Sequence, residues 1–432
     1  MRNYTSRVAD STIARYLETF GAVIIEGARA TGKTTTARHA SRSDVSLDKS
    51  PELAALAQTD PSAVFQGETP RLIDEWQLAP NIWNAVRHEV DERRDAGQFI
   101  LTGSATPSDD ITRHSGAGRF GRIKLRTMSL YESGISSGAV DFSDLFTPDY
   151  RPAAIEGVDI ATYAKCIVKG GWPRTQGMSE NTASLYLASY IEDIVRMDID
   201  GVRDPERVKS LIRSLARNIS TEATLKGIAS EAKILDANAK DDTSQSVSIP
   251  TARKYLDSLS KIFILEELPP WSTHIRSKVR QRVSPKWHFV DPALAAAALK
   301  LSSKLLLNDL NAFGLFFESL CVRDLRIFAE LMDGTVSYYR DEKSLEVDAI
   351  VELFDGKWAG FEIKLGGDSY IDEGAGNLMA LYNKLPAAKQ KDMMSLNVLT
   401  GGQTSYQRPD GINVLSIGHL GAKSAMPKSG TT

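Results

Sequence analysis

The stretch G-A-R-A-T-G-K-T, residues 27–34, leaves little freedom in what can surround it. Backbone N–H groups converge on phosphates where a strand end meets a helix start, so such a loop needs a buried strand before it and a helix after it. Both are legible. A-V-I-I-E (22–26) is short, apolar and rich in β-branched residues, which suits a buried parallel strand, and K-T-T-T-A-R-H-A-S opens a helix. Gly27 and Gly32 let the backbone wrap a phosphate, Lys33 reaches the β- and γ-phosphates, and the Thr34 hydroxyl is placed for Mg²⁺. The nucleotide contacts are therefore assigned to Gly27, Ala28, Arg29, Ala30, Thr31, Gly32, Lys33, Thr34 and Thr35, with ATP and Mg²⁺ as cofactors.

Two further strands support this. P-R-L-I-D-E-W-Q (70–77) is apolar and ends in two carboxylates. Asp74 is placed to hold the Mg²⁺ shell, and Glu75 stands where a base can orient water. Q-F-I-L-T-G-S-A-T-P (98–107) ends in Thr102 and Ser104, polar groups that suit either γ-phosphate sensing or plain turn chemistry. With D-V-S-L-D (44–48) and R-I-K-L (122–125) as additional strands, the fold class is α/β with a doubly wound parallel sheet.

A chain of 432 residues is longer than one such domain needs. Its net charge of -3 announces no nucleic-acid partner globally, so such a partner requires a local basic patch. The two cysteines, Cys166 and Cys321, sit in apolar surroundings and indicate neither a disulfide framework nor a metal site. No apolar run approaches the roughly 20 residues that span a bilayer, and the expectation is a cytoplasmic protein without a membrane partner.

The motifs G-A-R-A-T-G-K-T-T, L-I-D-E-W-Q, F-I-L-T-G-S-A-T-P and G-R-F-G-R-I-K-L-R-T-M-S-L-Y-E-S-G resemble those of prokaryotic AAA-type ATPases that carry a C-terminal domain of unknown function. K-G-G-W-P-R-T-Q-G (169–177), Y-L-D-S-L-S-K-I-F-I-L-E-E-L-P-P-W (255–271), F-F-E-S-L, E-V-D-A-I-V and F-E-I-K extend the resemblance over most of the chain. It implies a P-loop domain (1–150), a helical and winged-helix region (151–304) and a module similar to the PD-(D/E)XK nuclease fold (305–420), and the polar G-A-K-S-A-M-P-K-S-G-T-T (421–432) is expected to be a disordered tail. The resemblance also implies an arginine that completes a nucleotide site. Arg119 and Arg122 are the candidates, Arg119 the preferred one, with a surface arginine as the alternative reading. Such a residue can act from a second copy, which keeps a homo-oligomer open.

In the middle region, H-I-R-S-K-V-R-Q-R-V (274–283) places Arg276, Lys278, Arg280 and Arg282 on every second residue. On a strand they share one face, where they suit sequence-independent contacts to nucleic-acid phosphates. A solvated face or a docking surface fits the same pattern.

Beyond residue 310, Glu318 lies on a strongly apolar helix with no charged neighbour three or four residues away, so it needs a metal or a lysine as partner. In the meander that follows, the apolar pattern pairs odd residues with odd. Asp348, Glu362 and Lys364 then share a face, and a three-residue loop centred on Gly356 sets Asp348 opposite Lys364. The set Glu318, Asp348, Glu362, Lys364 matches the nuclease-like pattern. Asp348 and Glu362 are the candidate Mg²⁺ or Mn²⁺ ligands and Lys364 the group that activates water, against the alternative of an ion-pair cluster. The leading reading is an ATPase coupled to a metal-dependent, nuclease-like module. The alternative is a nucleotide-controlled switch whose C-terminal module binds nucleic acid or protein without cleaving. A small-molecule kinase would leave both accessory modules idle.

Overall fold

The structure is a computed structural model and describes residues 4–103, 116–197, 204–234, 245–272 and 284–423. The chain divides into two compact units, one containing residues 4–128 with 261–263, the other containing 129–260 and 264–423. The division falls at Met128, whereas the sequence reading counts residues to 150 with the nucleotide domain.

The first unit is built on five parallel strands, β1 (Ala22–Glu26), β2 (Ser43–Ser46), β3 (Arg71–Asp74), β4 (Phe99–Gly103) and β5 (Phe120–Lys124), in the order β2-β3-β4-β1-β5. The strands read as continuous apolar runs because both sheet faces are covered. Ala22, Ile24, Ile73, Phe99 and Leu101 enter one core with Trp83 and Val86 of the Asn81–Arg93 helix. Val23, Ile25, Leu72, Ile100 and Ile123 enter the other with Ile13 of the Ala9–Thr19 helix and Ala37.

In the second unit, helices Ile160–Lys169, Glu180–Met197, Pro205–Arg217, Leu225–Glu231 and Ile249–Lys261 precede an antiparallel strand pair, Leu265–Leu268 with Lys286–Phe289. The connection between these two strands carries the basic stretch, so Arg276, Lys278, Arg280 and Arg282 lie outside the described residues. The glycine-tryptophan motif after residue 169 is a packed turn. Gly170 adopts φ 70°, Trp172 is fully buried, and the Gly171 N–H donates to Asp291 Oδ2 at 2.8 Å.

The C-terminal sheet has six strands in the order Thr335–Arg340, Glu346–Glu352, Trp358–Lys364, Met393–Thr400, Asn413–Ser416, Tyr406–Gln407. The Asp368–Lys384 helix packs on it through Ile371 and Leu378 against Trp358 and Val398. Phe142 packs against Phe328 of the Leu310–Leu331 helix and against Phe361, at ring-centroid distances of 5.7 and 6.4 Å. Leu420–Gly421 pairs with Val140–Asp141, so residues 421–423 of the expected tail belong to the fold, while 424–432 lie outside the described residues.

Candidate functional site

Glu26, Asp74 and Gly103 close the adjacent strands β1, β3 and β4, and the loop 27–32 leaves β1 at that same end of the sheet. Parallel strands bring their C-terminal ends together, which is where open α/β sheets place their ligands. The loop turns through left-handed backbone at Gly27 (φ 151°), Ala30 (φ 60°) and Gly32 (φ 100°). A Cβ on Gly27 would stand 2.2 Å from the Leu125 carbonyl oxygen, so this position admits no side chain without moving backbone. Gly27→Ala is expected to lower ATP affinity at least tenfold and to reduce the melting temperature, read by nucleotide titration and thermal unfolding. Unchanged values for both would remove the close packing from the account.

Gly32 caps the Lys33–Ala40 helix and, having no side chain, supplies no hydrogen bond to the first helical N–H groups. That is the arrangement an anion completes. The Lys33 ammonium lies 2.8 Å from both the Gly27 and the Ala28 carbonyl oxygens and is buried. Arg7 fixes the outer side of the loop, donating to the Thr31 carbonyl at 2.9 Å and to the Arg126 carbonyl at 2.8 Å.

Asp74 is 4% exposed and receives hydroxyls from three directions. Thr34 donates to Oδ1 at 2.8 Å, Ser46 to Oδ2 at 3.0 Å, and Thr102 also donates to Oδ1. Strand pairing explains the convergence, because Ser46 and Thr102 are the register partners of Asp74 on either side. Thr34 and Asp74 together present the hard oxygen donors that Mg²⁺ prefers, so these residues fit the ion. Glu75 holds left-handed backbone (φ 57°) and its carboxylate accepts a hydrogen bond from the Gln77 side chain.

Ser104 lies outside the described residues. Arg119 precedes β5 at the end of the sheet where β1 begins, opposite the end that carries the loop, and pairs with Asp91 at 2.6 Å. It therefore has no part in its own chain's nucleotide loop. Arg122 pairs with Glu26 and lies 5.2 Å from the centre of the Trp83 ring.

In the C-terminal unit the odd-with-odd pairing holds, as in Ala349 with Phe361 and Val351 with Ala359, but the register sets Asp348 beside Glu362 rather than opposite Lys364. The loop is three residues long and centred on Asp355, with Gly356 in the left-handed position (φ 86°) that such a turn requires. The alternation is also interrupted. The register with the neighbouring strand shifts between Ser337 and Tyr339, and Val347 and Ile350 join the same apolar cluster. Asp348 at this irregularity turns into the ladder, where Oδ2 accepts from the Ile363 N–H at 2.8 Å.

The carboxylates each have a protein partner. Glu362 Oε2 lies 3.1 Å from Lys364 Nζ, and Oε1 lies 3.4 Å from the Asn377 amide. Glu318 pairs with Lys286 at 3.0 Å, so the partner its position demands is a lysine. Lys286 also reaches Glu346 at 2.6 Å. Burial pushes Glu318 up to about 8 against the pull of Lys286, and burial with the Asp348 charge pushes Glu362 up to about 9. Burial disfavours charge on Lys286 too, but Glu318, Asp348 and Glu346 outweigh it and hold its pKa above the usual lysine range. Among the described residues, no group of three or more His, Cys, Asp or Glu is arranged to hold a metal ion. Asp348 and Glu362 are instead each engaged by protein groups, Asp348 by the Ile363 N–H and Glu362 by Lys364.

Sequence reasoning missed Arg7, Ser46, Gln77 and Lys286. Ser46 and Gln77 had a signal, since one closes the strand before Asp74 and the other follows Glu75 by two residues. Lys286 is a lone cation in an apolar run, and nothing in the sequence distinguished Arg7.

A family model described as an AAA domain matches residues 19–134. Two domains of unknown function, DUF8612 and DUF4143, match residues 160–305 and 313–420. An uncharacterized protein of Mycobacterium tuberculosis and another of Mycobacterium bovis are each 27% identical to this chain over 364 residues, covering 83% of this chain and 73% of theirs. A solved Walker-type ATPase of Pyrococcus abyssi is similar at 11% identity with a TM-score of 0.40, covering 68% of this chain and 96% of that one. Among the described residues, no helix is long and apolar enough to cross a membrane.

Proposed function

We propose that this chain binds and hydrolyses MgATP in its AAA-type domain, and that its C-terminal module binds nucleic acid or protein under nucleotide control without cutting it. The observation that carries the first part is the convergence of Thr34, Ser46 and Thr102 on Asp74 beneath a helix start that no side chain caps. When bound, Mg²⁺ neutralises phosphate charge. Lys33 adds a fixed cation beside the β- and γ-phosphates, Asp74 and Thr34 supply oxygen ligands, and Glu75 orients the attacking water. Arg119 would act on phosphate only from a second copy of the chain.

The non-cleaving reading of the C-terminal module is favoured by the partners that Asp348, Glu362 and Glu318 already have. Phosphate contacts through Arg276, Lys278, Arg280 and Arg282 would make nucleic-acid binding sequence-independent and salt-sensitive.

Glu75→Gln is expected to bind ATP as the wild type does and to hydrolyse it about 100-fold or more slowly, the usual range for loss of a catalytic base. Turnover at the wild-type rate would sink that role. For the module, labelled single- and double-stranded DNA and RNA are incubated with the full chain, with ATP, Mg²⁺ and Mn²⁺ each varied. Nucleotide-dependent binding with intact strands is expected, and metal-dependent cleavage lost in Asp348→Ala would restore the nuclease reading.

A further inference from the structure

We infer that Lys286 is the resident cation of the C-terminal carboxylate cluster, and that a divalent ion is not taken up there while its ammonium is in place. The inference rests on the non-cleaving reading above and adds the group that enforces it. Lys286 is 2% exposed and is delivered by a strand paired along its length with Leu265–Leu268, so it is a fixed part of the fold rather than a surface chain that swings in. Its ammonium stands 3.0 Å from Glu318 and 2.6 Å from Glu346, and lies 5.4 Å from the centre of the Tyr338 ring.

Chemistry makes the two occupants exclusive. A small divalent ion takes oxygens at about 2.0–2.1 Å in a near-octahedral shell. The Lys286 ammonium, bonded to Glu318 and Glu346, takes their oxygens and repels a second cation brought to the cluster. The other candidate ligands are engaged as well, Asp348 by the Ile363 N–H and Glu362 by Lys364. Without the Lys286 charge, Glu318 would lose its ion-pair partner, while Glu346 keeps Arg340 at 2.9 Å and Glu362 keeps Lys364 at 3.1 Å. A buried cluster so unbalanced takes up protons or a metal.

The test is Mn²⁺ binding to the nucleotide-free full chain, followed by the loss of the free Mn²⁺ resonance signal. Wild type and Asp348→Asn are expected to bind Mn²⁺ alike, which cancels any contribution from the P-loop. Lys286→Gln is expected to gain one site at least tenfold tighter than any in the wild type, and the gain is lost in Lys286→Gln/Asp348→Asn. A second background, Lys286→Met/Glu318→Met, exchanges the ion pair for apolar bulk, a change buried pairs often tolerate, and should gain an Asp348-dependent site by the same criterion. A wild-type Mn²⁺ site that Asp348→Asn removes would overturn the inference, as would a folded variant of either kind that gains none. If that wild-type site forms without strand cleavage, only this inference falls. If Asp348-dependent cleavage accompanies it, the non-cleaving reading falls too.

Discussion

Lys33→Ala is expected to bind ATP about a thousandfold more weakly than the wild type, the scale for removing one partner of a buried, hydrogen-bonded charge pair. The loop holds Lys33 in place through two carbonyls of its own backbone, so the ammonium is positioned before any phosphate arrives. That placement has a pH signature. Burial lowers the pKa of the free lysine to about 8, against the pull of Glu75. A bound triphosphate raises it again. A group whose pKa rises on binding contributes fully below its free-state pKa and loses that contribution as pH climbs toward the bound-state value. ATP affinity should therefore be flat below pH about 8 and fall above it by about tenfold per pH unit. Lys33→Ala should lack this fall. Titrations with a fluorescent nucleotide across that range decide it, and a wild-type affinity unchanged up to strongly alkaline pH would mean that Lys33 is not the titrating group.

Arg323→Ala is expected to destabilise the second unit by about 3–5 kcal/mol, because it leaves two buried carboxylates without their cation. Arg323 is enclosed between Asp291 at 2.9 Å and Asp324 at 2.7 Å. Those carboxylates in turn hold backbone. Asp291 accepts from the Gly171 and Ala293 N–H groups, and Asp324 from the Leu130 N–H. The guanidinium thus fixes three separate chain segments to the Leu310–Leu331 helix. Arg323→Lys should recover only part of the loss, since one ammonium cannot reproduce a two-sided fork. Urea unfolding followed by tryptophan fluorescence measures both, and a loss below about 1 kcal/mol for the alanine variant would mean that the carboxylates are solvated.

The nucleotide site was legible because its chemistry is local. Gly27, Gly32, Lys33 and Thr34 follow one another along one turn, and Asp74 closes an apolar strand whose burial is evident from its composition. What Asp74 touches was less legible, since Ser46 and Thr102 become its neighbours only through strand order. In the C-terminal sheet, side-chain alternation gave the parity of pairing but not the offset. A loop centred on Asp355 and one centred on Gly356 satisfy the same odd-with-odd rule, and the actual turn is the one that gives Gly356 the left-handed backbone. The interruption near Asp348 was invisible, because an irregularity of one residue leaves the apolar pattern almost intact. Lys286 was missed for a different reason. It lies 32 residues from Glu318 in sequence, and a buried ion pair across that distance has no periodic signature.

Arg7 bears on how this chain can be cut. The match to the AAA domain begins at residue 19, yet the guanidinium that holds the Thr31 carbonyl comes from residue 7, and the helix that brings Ile13 to the core spans Ala9–Thr19. A fragment trimmed to the matched boundary would keep every residue of the phosphate-binding motif while losing the brace on its outer side. A weak nucleotide affinity measured on such a fragment would describe the trimming rather than the full chain.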